Sequence, residues 1–400
     1  MIKKFKYNLL SDAFNKKDIK EGIKVLKSKK ITISKITRNF EKYFAKKIGA
    51  KYALMTNSGS SSNLLALSAL TNPLNIKKVP PGSEVIIPAI CWSTSLWPII
   101  QNNLKPIFVD VKIDTFNIDI DKIEKEITKK TKAIMIVHVL GTSTNMTKLI
   151  QIAKKYKLDL IEDTCESLGA TYDKKKLGTF GRFGTYSFYY SHQITSGEGG
   201  MIVCNDLKDY NILKSLRSHG WSRDTIFNKK YSKKYKNIDD RFLFIGPGYN
   251  LRPTEIQAAI AFNQFKRLNQ MIKVRSNNRN KIINNLKKNK NWDNQFEFVM
   301  IDKKIKPSWF GLPILIKNKK INKKKFLEKI SKKGIENRPI ISGNFLNQPA
   351  SKLYNFNIKK NDFKNSNDIE KRGFFIGLHT KKISNNELKY IVNNLLNINY

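Results

Sequence analysis

The sequence predicts an α/β protein, a large α/β/α sandwich followed by a smaller α+β unit. Three observations predict it. Between about residues 50 and 205, short apolar runs alternate with amphipathic stretches, the pattern of strands that cross over through helices. A long helical periodicity then begins at Pro253. Beyond about residue 290 the texture turns to Lys/Asn-rich turns, isolated strands and terminal helices. The chain divides into residues 1–265, a large unit with an N-terminal arm, and 266–400, a small C-terminal unit. Its 400 residues can bury two such cores.

Strands are expected at 84–87, 106–111, 133–140, 158–161, 186–190 and 201–204, each a short run rich in Ile, Val, Phe or Tyr. Helical spacing falls between them at 61–69, 94–101, 120–127 and 148–156, so the strands should pair in parallel. From Pro253 the apolar positions Ile260 and Phe265 keep helical spacing. The pattern continues with little break through Ile272, Ile282, Ile283 and Leu286. A strand at 309–316 and helices at 324–332 and 386–396 complete the reading. No internal repeat is present.

Composition narrows the function classes. Lys and Arg number 75 against 32 Asp and Glu, a formal net charge of +43, which raises nucleic acid as a partner. The excess is almost all Lys, spread with Asn and Ile along the whole chain. The basic runs Lys319-Lys320, Lys323-Lys324-Lys325 and Lys287 to Lys290 lack the interleaved aromatics on which bases stack. They read as solvated helix faces and turns, so no nucleic-acid partner is expected, and the positive field suits a small anionic substrate. No apolar run approaches the ~18–20 residues that span a bilayer. The start of the chain, with Lys3, Lys4 and Lys6, lacks the apolar stretch of a signal peptide. Cys91, Cys165 and Cys204 form neither a disulfide framework nor a close-paired metal site. A cytoplasmic protein with no membrane partner and no bound metal is expected.

Three segments carry chemistry. Thr56-Asn57-Ser58-Gly59-Ser60-Ser61-Ser62-Asn63 precedes an apolar helix, and its outward N–H groups could receive a phosphate or simply be capped by serine. Leu160-Ile161-Glu162-Asp163-Thr164-Cys165-Glu166-Ser167 sets three carboxylates past a strand, either a catalytic position or an acidic cap on the next turn. Ser187-Phe188-Tyr189-Tyr190-Ser191-His192-Gln193 leads to the Gly-rich Gly197-Glu198-Gly199-Gly200, and a His among hydroxyls beside such a turn suits proton transfer.

In order and separation these segments resemble the pyridoxal-phosphate-dependent sugar-nucleotide aminotransferases of the DegT type. So do Pro88-Ala89-Ile90-Cys91-Trp92-Ser93, Val137-His138-Val139-Leu140-Gly141 and Gly248-Tyr249-Asn250-Leu251-Arg252-Pro253. The resemblance is strong over about residues 30–270. It implies an aspartate-aminotransferase-like fold (type I) and a homodimer with active sites shared at the subunit interface. It also implies roles for single residues. Asp163 matches the carboxylate that pairs with the cofactor's pyridinium nitrogen, which lets the ring act as an electron sink. Gly59, Ser60 and Ser187 match donors to its phosphate. Trp92 matches the aromatic residue that stacks on its ring, and Asn250 a side chain reaching the phosphate from the neighbouring subunit.

The departure at position 192 is the informative one. The family's usual residue there is Lys, which links covalently to the cofactor; imidazole has no primary amine to condense with an aldehyde. The chain is therefore similar to the branch that carries His, the sugar-nucleotide 3-dehydratases. Glu166, His219 within Arg217-Ser218-His219-Gly220-Trp221, and Arg338 and Asn344 within the segment from Arg338 to Phe345 resemble that branch too. The resemblance implies noncovalent pyridoxal 5'-phosphate and pyridoxamine 5'-phosphate as cofactor, with His192, Glu166 and His219 catalytic and Arg338 and Asn344 on the substrate. It implies removal of the 3-hydroxyl from a nucleotide-linked 4-keto-6-deoxy sugar, a GDP-linked mannose derivative, with L-glutamate as amino donor. Three scattered cysteines cannot supply four thiolates, so no iron–sulfur cluster is expected. Two other readings stay open at this point: a sugar 4-aminotransferase that has moved its lysine, and a non-enzymatic basic binding protein on the same fold.

Overall fold

A computed structural model describes residues 5–11, 13–318, 321–354, 356 and 363–397. Lys3, Lys4 and the run Lys319-Lys320 lie outside the described residues. Helices α1 (Lys16–Ser28) and α2 (Lys35–Ile48) lead to the first strand. The main sheet has seven strands in the order β1-β9-β8-β5-β4-β2-β3. These are β1 (Tyr52–Thr56), β2 (Glu84–Pro88), β3 (Lys105–Val109), β4 (Thr131–Val137), β5 (Asp159–Asp163), β8 (Phe183–Ser187) and β9 (Gly200–Cys204). Between and after them come α3 (Gly59–Thr71), α4 (Ser93–Gln101), α5 (Ile120–Ile123), α6 (Met146–Lys155) and α7 (Leu207–Arg217). A three-stranded sheet joins β6 (Thr171–Tyr172) and β7 (Lys175–Lys176) to β11 (Ile305–Lys306). Helices α8 (Asn228–Lys234), α9 (Glu255–Phe265) and α10 (Leu268–Lys288) precede a four-stranded sheet ordered β10-β12-β14-β13. Its strands are β10 (Phe296–Phe298), β12 (Gly311–Ile316), β13 (Asn337–Pro339) and β14 (Gly373–Gly377), flanked by α11 (Lys323–Lys332), α12 (Lys364–Arg372) and α13 (Asn385–Leu396).

The continuous apolar runs of the central strands follow from a sheet covered on both faces. Val85, Ile87, Met135, Val137 and Ile161 enter one core, whereas Ile86, Ile134, Ile136 and Leu160 enter another on the opposite face. The first of these cores extends without a break to Phe296, Ile314, Phe374 and Leu395, so the two larger sheets share apolar packing.

Several expectations are corrected. Pairing is parallel among β3, β2, β4, β5 and β8, but β8–β9 and β1–β9 are antiparallel. Parallel neighbours need a crossover, usually helical; residues 188–199 form no helix and simply fold back, with Gly197 and Gly199 at positive φ. The strand expected at 186–190 ends at Ser187, freeing the residues before His192 from the sheet. The long helix from Pro253 is interrupted at Lys266 and Arg267, between α9 and α10. The helix expected at 120–127 shortens to α5 followed by a 3-10 turn at Glu124–Glu126.

Candidate active site

Period-two alternation along β5 separates two adjacent carboxylates. Glu162 turns to one face, fully buried. It accepts from the amides of Gly178 (2.8 Å), Phe180 (2.6 Å) and Gly181 (2.7 Å) and lies 3.1 Å from His138 Nε2. That carboxylate pins a loop. Asp163 turns to the other face, at the carboxyl end of the strand where α/β sheets bind ligands. Its Oδ2 accepts from Asn63 Nδ2 (2.8 Å) and Ser95 Oγ (2.7 Å), and its Oδ1 from the Cys165 amide (3.1 Å). Thr185 Oγ1 donates to the Asn63 carbonyl at 2.6 Å, which sets the orientation of that amide. Asp163 is thus an oriented anion in a cavity wall.

The start of α3 faces the same cavity. Ser58 caps the helix, its Oγ accepting from the Ser61 amide at 3.1 Å. The amides of Gly59 and Ser60, as the first two of the helix, have no intrahelical acceptor. A side chain at position 59 would put Cβ only 2.6 Å from the Cβ of Ser187, so only glycine lets helix and strand end converge. Two amides, the Ser187 hydroxyl and the positive end of a thirteen-residue helix converge there, donors of the kind that receive an anion.

These groups line a cavity of about 850 Å³ together with Trp92, Glu166, His192, Arg338 and the arm residues Asn8 to Leu10. Trp92 is 57% exposed, a broad aromatic face against the opening. The His192 amide donates to the Tyr189 carbonyl at 3.0 Å, and its ring meets Phe310 edge-on with centroids 5.0 Å apart. His192 Nδ1 is buried without a protein partner. Burial, and after it the charge of Arg275, lowers this imidazole from 6.5 to about 3, so it is unprotonated at neutral pH. Glu166 moves the other way. Burial raises its carboxyl from 4.5 to about 7 against the Leu140 amide, which donates to Oε2 at 2.9 Å, and the negative charge of Asp163 adds to the rise.

The remaining expected site residues lie differently. Arg338 reaches the cavity with its side chain 53% exposed, held by Glu336 at 2.8 Å. Asn344 does not line it: at 2% exposure its Nδ2 donates to Asn367 Oδ1 (2.8 Å) and its Oδ1 accepts from the Leu346 amide (3.2 Å). One N–H and the carbonyl oxygen of its side-chain amide are thus engaged at the turn that it caps. His219 and Asn250 sit on paired segments away from the cavity, joined by the His219 amide to the Tyr249 carbonyl at 2.7 Å. There His219 Nε2 lies 3.2 Å from Arg252, beside a separate cavity of about 390 Å³ lined by Trp221 and Arg252. Asn63, Ser95, Gln193 and Glu336 were not anticipated. The one sequence signal was Asn63, a polar residue opening an apolar helix face.

No lysine lines the larger cavity among the described residues. Lys174–176, the candidates for a displaced lysine, sit at the β6–β7 hairpin, where Lys176 Nζ donates to the Gly169 carbonyl at 2.8 Å. The arrangement fits pyridoxal phosphate. The donors that converge where Gly59 meets Ser187 suit its phosphate, the oriented Asp163 its ring nitrogen, Trp92 its ring face, and the orphaned His192 Nδ1 is a polar atom in need of a partner.

Residues 12–396 match the DegT/DnrJ/EryC1/StrS aminotransferase family. The chain is 38% identical over 379 residues to the GDP-4-keto-6-deoxy-D-mannose 3-dehydratase of Escherichia coli O55:H7, covering 93% of this chain and 95% of that protein. A solved E. coli GDP-4-keto-6-deoxy-D-mannose-3-dehydratase with bound hydrated PLP superposes with a TM-score of 0.89 at 36% identity, covering 98% of this chain and all of that one. A GDP-4-keto-6-deoxymannose-3-dehydratase with a trapped PLP-glutamate geminal diamine gives 0.88 at 36% identity, over 97% of this chain and 100% of the other. The fold is that of the PLP-dependent aminotransferases, and the chain belongs to the DegT/DnrJ/EryC1/StrS aminotransferase family.

Proposed function

We propose that this protein is a PLP-dependent sugar-nucleotide 3-dehydratase. It removes the 3-hydroxyl of GDP-4-keto-6-deoxy-D-mannose to give a 4-keto-3,6-dideoxy sugar, with L-glutamate as amino donor. The observation that carries this reading is His192, an imidazole facing a cavity whose described lining holds no lysine. Bound as pyridoxamine phosphate, the cofactor supplies a primary amine for the keto carbon and a ring that accepts electrons. Gly59, Ser60 and Ser187 hold its phosphate, Asp163 faces its ring nitrogen, and Trp92 covers its ring. His192, unprotonated at neutral pH, would take on an imidazole nitrogen the proton given up at the carbon bearing the reacting amine and pass it to the departing 3-hydroxyl, which would leave as water. Glu166 positions the amine or the water that releases product, and Arg338 orients the sugar nucleotide.

The enzyme works in the cytoplasm as a homodimer, with His219 and Asn250 serving the neighbouring subunit's site. Among the described residues no helix is long and apolar enough to cross a membrane. Our reading divides the chain into 1–265 and 266–400; the end of α9 at Phe265 supports it.

Mass spectrometry of the product from GDP-4-keto-6-deoxy-D-mannose, PLP and L-glutamate tests the reaction. A 3-deoxy-4-keto sugar and free ammonia are expected, and borohydride should leave no cofactor on any lysine. A 4-amino sugar, or a reduced lysine adduct, would overturn the reading.

A further inference from the structure

Behind His192 lies a positive charge that no described carboxylate balances. Arg275 of α10 is 2% exposed. Its described partners are neutral: Nη1 donates to the Trp309 carbonyl at 3.1 Å and Nη2 to the His192 carbonyl at 3.4 Å, while Nε has none. An unpaired buried guanidinium is costly, and an apolar residue would fill the same space more cheaply. Its two bonds join the loop after β8 to the segment before β12. Gln193 makes a second link across the same gap, its Nε2 donating to the Ser308 carbonyl (2.9 Å) and the Glu166 carbonyl. Phe310, on that same segment, supplies the edge contact to the imidazole.

We propose that Arg275 is a positioning residue for His192, its forked guanidinium tying the His192 and Trp309 carbonyls together and so fixing where the imidazole enters the cavity. The role rests on His192 being the proton carrier. The Arg275 charge also works with burial to keep the ring neutral. The other ionisable groups on this cavity wall are Asp163 at the end of β5, Cys165 and Glu166 after it, Tyr189, Tyr190 and Glu198 on the β8–β9 connection, and Glu336 and Arg338 at β13. Tyr7 of the arm interacts electrostatically with Arg275.

The chain has four histidines, so selective 13C-histidine labelling of the holoenzyme yields few enough imidazole signals to assign. In Arg275→Met we expect the His192 signal to shift while those of the other three stay. Turnover should fall about tenfold or more, with the KM for sugar nucleotide and the affinity for PLP within about threefold, as misplacement of a reacting group affects kcat first. Arg275→Lys keeps the charge and one donor but not the fork, so it should fall between Met and the native enzyme. It also carries the test if the methionine variant does not fold. If the His192 signal stays at its native position in a folded variant, whatever turnover does, Arg275 does not position His192. If the signal moves and turnover does not, the placement of the imidazole does not govern the reaction, and the positioning role falls with His192's role as proton carrier.

Discussion

His192 and Glu166 are displaced in opposite directions by the same force, removal from water. Burial disfavours whichever form is charged, so it pushes an imidazole down and a carboxyl up. Both are neutral between about pH 3 and 7, with opposite consequences for stability. Glu166 holds a raised folded value of about 7 against 4.5, so its contribution is complete below about 4.5 and lost as pH rises through 7. His192 holds a lowered value of about 3 against 6.5, so its contribution is complete above about 6.5 and lost as pH falls toward 3. For cofactor-free protein, the melting temperature of Glu166→Gln relative to native should therefore climb between pH 5 and 8; a flat difference would mean Glu166 is already ionised in the fold. In the loaded enzyme, Glu166→Gln should slow turnover at least tenfold while shifting PLP affinity little. His192→Asn should bind PLP and release neither ammonia nor 3-deoxy sugar. Retention of near-native turnover there would remove His192 as the proton carrier.

Among the elements, the start of α3 makes the most demanding contact. The distance of 2.6 Å from a Cβ at position 59 to that of Ser187 leaves no room for a methyl group unless helix and strand move apart. Gly59→Ala should thus weaken PLP binding about tenfold or more, at a stability cost of about 1–3 kcal/mol from overpacking. Ser60→Ala keeps the backbone amide and should change affinity much less. Native PLP affinity in Gly59→Ala, read by absorbance titration, would move the phosphate elsewhere. The capped helix start was legible in the sequence because glycine and serine before an apolar helix have a local physical meaning. Asp163 was legible for the same reason, as a carboxylate past the end of an apolar strand. Its supports were not. Asn63 and Ser95 lie in two different helices, and only the packing of α3 against α4 and against β8, the neighbour of β5, brings both to one carboxylate oxygen. Nor could alternation reveal that β9 runs antiparallel, since direction is decided by a connection that merely lacks a helix. Asn344, placed on the substrate by resemblance alone, is buried and caps a turn, a placement that no local pattern announces.

At the scale of the whole molecule, one chain brings His192, Glu166 and Asp163 to one cavity and leaves Asn250 exposed on another surface, its Oδ1 accepting from its own Arg252 at 3.0 Å. If a neighbouring copy supplies Asn250, each site draws its imidazole from one subunit and its amide from the other. A two-fold interface makes this exchange reciprocal. The consequence is measurable by mixing. His192→Asn alone should be inactive, and Asn250→Ala alone should lose PLP affinity. When the two variants are denatured and refolded together, about half the dimers are mixed by chance pairing. In each mixed dimer one site collects both defects and the other collects neither. Activity should therefore return to about a quarter of the native value at PLP concentrations where neither parent turns over. Were Asn250 to serve its own chain, every site in a mixed dimer would carry one defect, and mixing would restore nothing. Were the protein monomeric, mixing would also restore nothing, and sedimentation would show a mass of 46.2 kDa, separating the two failures.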